Sequence, residues 1–441
     1  MNQNAPRSSF KPGCTRNDAL AVVKALRAAG HVAYFAGGCV RDELLGLVPA
    51  DYDVATDAPP DRVRQVFPKT QAVGAAFGVI LVHQNKSVVE VATFRADVSY
   101  EDGRRPTEVR FTTAEEDAKR RDFTINGLFL DPIQNKVIDF VGGREDLENK
   151  LLRAIGEPDH RFDEDHLRML RAVRFAARFD LNIDQRTHDA IHRHVAQLPR
   201  ISPERVAEEL RLTLTPPSRV AAWGLLKHFH LIDVVFRALQ HRDGPAEGHG
   251  TAAIFAQTAP GHSISFSLSL ASASAAYLWP LADSGDIVEL FSRESARRIA
   301  AALRRTLHLS NDELEGIVGT MTGVGILLRD GSQPVSVLKR FLARPTAGDS
   351  KELLQALAAT GFHCETIKRV RDQLAMLEKT DFAPPPLVTG DDLVARGFAP
   401  GPVFKKILDA VYDEQLEGRI GTRDEAMALA VKISAAPPSN G

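Results

Sequence analysis

Cysteine is scarce in this sequence. Three residues, Cys14, Cys39 and Cys364, are spread irregularly over 441 positions. That spacing makes neither a disulfide framework nor a zinc pattern, and it favours a reducing compartment, the cytoplasm. Net charge is lacking too: 55 Lys and Arg against 57 Asp and Glu leave −2. Bulk charge therefore says little about partners, because a nucleic-acid binder needs only a local basic face. The opening residues, MNQNAPRSSFKPGC, lack the apolar run of a secretory signal. No internal repeat is visible. One uncharged stretch, 263–282, has the length of a membrane span, but six serines dilute it. A buried soluble segment is the expectation, with no membrane involved. What is present suffices for a sizeable core. Hydrophobic residues make up 44% and charged residues 25%, which excludes disordered and collagen-like chains. The length suggests two to four domains.

The first 140 residues mix periods. Asn17 to Ala29 reads as an amphipathic helix stopped by Gly30, and His31 to Ala36 as a short strand. Cys39 to Leu47 looks helical, Asp51 to Thr56 alternates like a strand, and Asp61 to Phe67 is helical again. Two strands, Val79 to His83 and Val88 to Arg95, flank a polar turn. After Leu151 helical periods dominate: Asp165 to Phe179, Arg186 to Gln197, Pro203 to Leu214, Val220 to Phe229, Arg293 to Leu307, Lys351 to Ala359 and Pro402 to Leu416. Arg242 to Gly250 and Phe382 to Pro386 read as linkers. Ser263 to Leu270 alternates with strand period inside this helical half, a conflict that pattern leaves open.

The strongest chemical signal is Gly37-Gly38-Cys39-Val40-Arg41-Asp42 followed by Asp51-Tyr52-Asp53. Two glycines at a strand end let the backbone approach phosphate, and the next helix adds its positive end. Arg41 can pair with phosphate oxygens. Asp51 and Asp53, two apart, leave the same face of a strand. Hard oxygen ligands so placed suit one or two Mg2+ ions, which can activate a hydroxyl and stabilise a leaving pyrophosphate. Either element alone is an ordinary turn or a surface pair; in this order they indicate a metal–nucleotide site.

Here the sequence resembles a family. Gly-Gly-x-Val-Arg-Asp, then Asp-x-Asp-Val-Ala-Thr, is similar to the signature of class II template-independent nucleotidyltransferases, the group of bacterial CCA-adding enzymes and bacterial poly(A) polymerases. The resemblance implies an α/β N-terminal nucleotidyltransferase palm of the DNA polymerase β type, followed by an all-α neck, body and tail. It places a head over 15–140, a neck with the nucleotide-recognition helix over 141–220, a divergent helical body over 221–383 and an RNA-binding tail over 384–435. Asp51 and Asp53 would bind magnesium and align an RNA 3′-hydroxyl with the α-phosphate. Gly37, Gly38 and Arg41 would hold the triphosphate.

A second cluster, Arg120-Arg121-Asp122-Phe123-Thr124-Ile125-Asn126, resembles the family's second motif. By that likeness Arg121 binds triphosphate or sugar and Asn126 supports the sugar. A paired arginine followed by Asp and Asn is also a reasonable phosphate and ribose clamp on its own chemistry. Glu90, a lone charge in the apolar strand Val88 to Arg95, can complete the metal's ligand set; Asp122 competes for that role. The third cluster runs from Glu164 to Arg178. Arg168, Arg171, Arg174 and Arg178 fall within about a third of a helix circumference, opposite Met169, Leu170, Val173, Ala176 and Ala177. The stripe holds no lysine, which favours planar recognition of phosphates or bases over a merely solvated face. Glu-Asp-x-x-Arg resembles the family's nucleotide-selecting motif, with Asp165 and Arg168 reading the base and Arg171 and Arg174 along the same site. Glu204 and Arg205 read as a brace for this helix.

The stretch Arg95 to Arg110, with Asp102-Gly103-Arg104, resembles the full-length flexible loop linked in CCA-adding enzymes to the switch from C to A. Poly(A) polymerases tend to carry Gly-Arg-Arg-Phe and a basic tail, whereas this chain has Gly74-Ala75-Ala76-Phe77 and a neutral tail. Segments from Pro386 onward resemble the C-terminal part of CCA-adding enzymes, where Lys405, Lys406, Arg419 and Arg423 could line RNA phosphates. The one His-Asp doublet, His188-Asp189, lies in the neck, so no phosphohydrolase activity is expected from the body. The resemblance thus implies CCA addition to tRNA from CTP and ATP with Mg2+ as cofactor and no obligate protein partner. The alternatives are an A-only adenylyltransferase, a non-catalytic RNA-binding protein on the same scaffold, and a nucleotidyltransferase acting on a small molecule.

Overall fold

The computed structural model describes residues 14–72, 78–85, 87–100, 106–239, 251–278, 288–329, 333–398 and 401–435. Gly74 to Phe77, Asp102-Gly103-Arg104, the Arg242 to Gly250 linker and the residues after 435 lie outside the described residues. Contacts divide the chain into two compact units. One is Met1–Thr213 with Gly224–Val235; the other is Leu214–Trp223 with Phe236–Gly441.

The first unit is built on a seven-stranded mixed sheet. Its strands are β1 (Ala33–Ala36), β2 (Val54–Thr56), β3 (Thr70–Ala72), β4 (Val79–Gln84), β5 (Ser87–Thr93), β8 (Phe129–Asp131) and β9 (Lys136–Ile138), in the order β3-β4-β5-β2-β1-β8-β9. Strands β6 (Arg95–Tyr100) and β7 (Pro106–Phe111) form a separate hairpin, so most of the expected Arg95–Arg110 loop is paired strand. β2 and β5 run parallel, with Val54 opposite Val91 and Ala55 opposite Ala92. Regular strand begins at Val54, not at Asp51 as the alternation suggested. Asp51 and Asp53 lie in the segment leading into it, where the Asp53 carbonyl accepts from the Ala36 amide at 3.0 Å.

Helix α1 (Arg16–Ala28) starts where the Thr15 side chain accepts from the Asp18 amide. It packs Ala19, Val22, Val23 and Leu26, spaced at helical period, against the sheet. Helices α2 (Gly38–Leu44), α3 (Pro60–Val66), α4 (Ala114–Lys119) and α5 (Gly143–Glu148) complete the head. Gly37, at φ +72°, makes the turn from β1 into α2. A Cβ there would stand 2.7 Å from Arg121 Nη1, so the position needs glycine both for its left-handed backbone and for space. The same unit continues through α6 (Pro158–Glu164), α7 (Leu167–Phe179), β10 (Leu151–Leu152) paired with β11 (Asn182–Ile183), α8 (Gln185–His194), α9 (Pro203–Leu214) as far as Thr213, the part of α10 (Arg219–His228) from Gly224 onward, and α11 (Leu231–Val235). The periodicity read one helix from Asp165, but the helix breaks there. Asp165 is extended, at φ −155°, between α6 and α7.

The second unit is helical: α12 (Thr251–Gln257), α13 (Phe266–Leu278), α14 (Arg293–Thr306), α15 (Asn311–Leu327), α16 (Val335–Leu342), α17 (Ala347–Ala359), α18 (Cys364–Leu377), α19 (Gly390–Ala395), α20 (Pro402–Leu416) and α21 (Arg423–Ala435). The serine-rich conflict resolves as helix. α13 is buried on all sides against α12, α15 and α17, so its apolar residues need no helical stripe and their alternation carries no strand meaning. Two of its serines bond to backbone: Ser269 donates to Leu214 O at 2.9 Å and Ser267 to Glu313 O at 3.1 Å. Arg219, fully buried, donates to the carbonyls of Pro216, Thr258, Ala259 and His262 and so satisfies the end of α12. Residues 384–435 hold a small core of their own around Val388, Leu393, Ile407, Val411 and Ala430. No helix among the described residues is long and apolar enough to cross a membrane.

Phe129 ties the head together. Its ring meets Phe94 edge-on at 5.8 Å and Tyr34 at 6.2 Å, and Arg121 lies over it at 5.0 Å. Phe129→Ala should lower stability by about 3–5 kcal/mol, read as a fall in the urea midpoint of the first unit.

Candidate active site

One cavity of about 770 Å³ in the first unit gathers nearly every residue singled out from the sequence. Its floor comes from the sheet register. Residues opposite one another on parallel strands point to the same side, so Ala55 and Ala92 face the cavity together. Two positions back along each strand are Asp53 and Glu90. Both are exposed and line the cavity, as does Asp51 on the far side of buried Tyr52. Three carboxylates therefore share one face of the sheet, beside Gly37 and Gly38 at the start of α2. The donor set is all oxygen and all hard, which fits Mg2+ better than a nitrogen-seeking ion.

The walls are arginine. Among the described residues, nine arginines and no lysine line the cavity, against five carboxylates. Most are held in place by an acid. Asp117, on α4, accepts from Arg120 Nε at 2.9 Å and from Arg121 Nε and Nη2 at 3.2 and 3.0 Å. Although burial opposes its ionisation, these two guanidiniums hold the Asp117 carboxyl below the usual range. Arg121 also donates to Asn126 O at 3.1 Å. Arg41 is buried, donates to Asp42 at 2.6 and 2.9 Å and to Asn126 Oδ1 at 2.5 Å, and lies over Phe179 at 4.3 Å. Asn126 Nδ2 in turn donates to Asp122 Oδ1 at 3.0 Å.

Asp122 is buried and receives Arg171 through Nε at 2.8 Å and Nη2 at 2.6 Å, with the Phe123 amide on its other oxygen. Of the two candidates for a third carboxylate, the register puts Glu90 beside Asp53, whereas Asp122 is bonded into this network. Burial opposes ionisation of Asp122, yet Arg171, Asn126 and the Phe123 amide together lower its pKa to about 2.

The arginine stripe of α7 is not a solvated face. Arg168 donates to Glu164 at 2.6 Å and to Arg161 O at 2.9 Å; Arg174 donates to buried Glu209 at 2.5 Å and lies over Phe175 at 4.2 Å. Arg178, half-exposed, is 3.9 Å from Asp42. Asp165 and Arg168 both line the cavity but do not bond to each other. Asp165 accepts instead from Arg205 at 2.6 Å and from the Leu167 amide at 3.1 Å. Arg205, read from sequence as a brace, both holds Asp165 and lines the cavity. Glu209 and Asp117 were not singled out. The spacing of Asp117, three and four residues before two arginines at a helix end, was the available signal. In the tail, Arg423 pairs with Asp392 and Arg419 with Glu414, while Lys405 and Lys406 are exposed.

Such a fold and cavity resemble those of a nucleotidyltransferase head joined to helical domains. Comparison with known proteins agrees. Residues 33–153 match the model described as "Poly A polymerase head domain", and residues 180–242 the one described as "Probable RNA and SrmB- binding site of polymerase A". A CCA-adding enzyme of Geobacillus thermodenitrificans is 44% identical over 209 residues, 47% of this chain and 52% of that one. One of Bacillus subtilis is 44% identical over 197 residues, 44% and 49% of the two chains. The chain thus spans about half the length of the curated relatives it matches. The solved structure of Bacillus stearothermophilus CCA-adding enzyme in complex with CTP superposes with a TM-score of 0.68 at 28% identity, over 94% of this chain and 97% of that one. The resemblance to class II CCA-adding enzymes is borne out in the head sequence and across the fold.

The Asp122–Arg171 pair has a pH signature. A carboxyl whose pKa drops from the ordinary value of about 4 to about 2 on folding stabilises by about 2–3 kcal/mol above pH 4, and this is lost as pH falls toward 2. Asp122→Asn should therefore be less stable than the parent near neutrality. The gap in urea midpoint should narrow steadily between about pH 4.5 and pH 3; a gap independent of pH would contradict the assignment.

Proposed function

We propose that this chain adds or repairs the 3′-terminal CCA of tRNA, using CTP and ATP and releasing pyrophosphate. The observation that carries this reading is a single cavity with three exposed carboxylates on its floor, Asp165 and Arg168 in its wall, and arginine between them. The supporting relatives are CCA-adding enzymes. The fourfold division into head 15–140, neck 141–220, body 221–383 and RNA-binding tail 384–435 belongs to the same proposal, as does a cytoplasmic location.

Asp51, Asp53 and Glu90 would hold Mg2+, which when bound lowers the pKa of a primer hydroxyl and neutralises pyrophosphate as it leaves. Gly37 and Gly38 bring backbone to the β- and γ-phosphates at the start of α2. The arginines of the wall neutralise the triphosphate and orient it. Arg121 and Asn126 sit where the sugar and phosphates enter, each already fixed by Asp117, Arg41 and Asp122. Asp165 accepts from cytosine N4 or adenine N6, and Arg168 donates to cytosine N3 or adenine N1. Uracil and guanine present the reverse polarity and leave like groups facing one another. Asp122 is a positioning residue in this scheme, and Glu90 the third ligand carboxylate.

The test is extension of a tRNA transcript lacking CCA, resolved at single nucleotides. CTP alone should add two residues, and ATP a third only after them. A single A on tRNA ending in CC, with no reaction before, would mean an A-adding enzyme; a ladder with ATP alone would mean poly(A) synthesis. Asp53→Ala should cost at least about a hundredfold in rate, the scale of losing one preorganised electrostatic contact, while a binding module would be unaffected. Glu90→Gln should raise the Mg2+ concentration needed for half-maximal rate, and Asp122→Asn should not. Asp165→Ala should lower the preference for CTP over UTP by about tenfold or more.

A further inference from the structure

The first unit carries a second cluster of chemistry-bearing side chains that the proposed reaction does not use. His188 and His192, four apart on α8, share a helix face. His228 closes α10. One ligating nitrogen from each lies within 4.8 Å of the other two. His188 Nε2 and His228 Nε2 are 2.9 Å apart. The Phe229 ring contacts all three imidazoles, with centroids 4.9 to 5.0 Å away.

The surroundings of His188 are those of a ligand. Asp189 Oδ1 stands 3.1 Å from His188 Nδ1, and Gln185 Nε2 donates to the same oxygen at 2.7 Å. A proton on Nδ1 shared with that carboxylate leaves the lone pair on Nε2, aimed into the cluster. A carboxylate behind an imidazole is the usual arrangement that orients a metal-binding histidine and raises its basicity. Tetrahedral zinc, with bonds of about 2.0–2.1 Å, sets its nitrogens about 3.4 Å apart, which lies between the 2.9 Å contact and the 4.8 Å span of this cluster. Imidazole favours zinc, nickel or copper over magnesium, so the cluster and the carboxylate floor would sort different ions.

We propose that His188, His192 and His228 form a site for zinc or a related divalent transition metal. One coordination position is left to water. The ion clips α8 to the end of α10, two helix ends that belong to the same compact unit.

The untagged full-length chain, stripped with chelator and kept in excess Mg2+ to occupy the carboxylates, would be titrated with Co2+ and followed by visible absorption. Zinc would be measured by competition with a chromophoric chelator. One equivalent of cobalt should give the ligand-field bands of a nitrogen-rich, low-coordinate ion, displaced by zinc, and zinc should raise the melting temperature. His192→Ala and His228→Ala alter exposed residues; their metal-free melting temperatures should match the parent, and each should weaken binding by at least about a hundredfold. Asp189→Asn should weaken it about tenfold. His230→Ala, adjacent but outside the cluster, should leave it unchanged. Failure to bind one equivalent, binding that survives His192→Ala, or binding weakened equally by His230→Ala would overturn the proposal.

Discussion

The candidate active site depends on the pairing of buried guanidinium and carboxylate around Asn126. Asp122 takes Arg171 from α7, Asn126 spans Asp122 and Arg41, and Arg41 leans on Asp42 and on Phe179 of α7. The sheet-bearing head and α7 are joined through charge in a place where charge is costly. A buried pair of this kind adds little over an apolar contact of the same shape. Losing one partner, however, strands the other without water, at a cost of several kcal/mol. The arrangement is therefore held less by its net stability than by the penalty on every alternative. That suits a cavity whose groups must keep their places when empty.

The same constraint explains why the walls are arginine. A guanidinium gives several donors in one plane, so it can hold a carboxylate with one edge and still offer another to a substrate. Arg171 spends Nε and Nη2 on Asp122, and Arg121 spends its donors on Asp117 and the Asn126 carbonyl. Lysine in either place would satisfy its acid as a point charge and would be free to swing. The stripe along α7 looked from sequence like one that met substrate directly. In the structure Arg168, Arg171, Arg174 and Arg178 each stand near an acid, three of them in short hydrogen bonds. Part of the apparent excess of positive charge is thus framework.

What could be read from the sequence was what local spacing determines. Two glycines before a helix and two aspartates two apart need no knowledge of the fold, and both fall in the cavity as expected. Glu90 could be suspected but not placed, because its position beside Asp53 follows from parallel pairing of strands 37 residues apart, and register is a tertiary property. Asp165 and Arg168 were read as a pair on one helix running from Asp165 to Phe179. The helix breaks at Asp165, and each residue found a closer partner in Arg205 and Glu164. The serine-rich stretch stayed open for another reason: alternation signals a strand only where one face is wet, and α13 has no wet face.

A protein that selects a base without a template must supply an edge that does not adapt to the wrong one. A mobile Asp could swing aside and a mobile Arg could move across to meet the uracil O4, and the difference in binding would shrink. Asp165 is held by Arg205 and by the Leu167 amide, and Arg168 by Glu164 and two backbone carbonyls. To move out of the way of a mismatched base, either side chain would have to abandon these bonds, so the cost falls on the protein as well as on the base. On the proposed reading, selectivity therefore resides in the partners of these two residues as much as in the residues themselves. On the same reading, Arg205 and Glu164 would belong to the recognition apparatus even if neither touches the nucleotide.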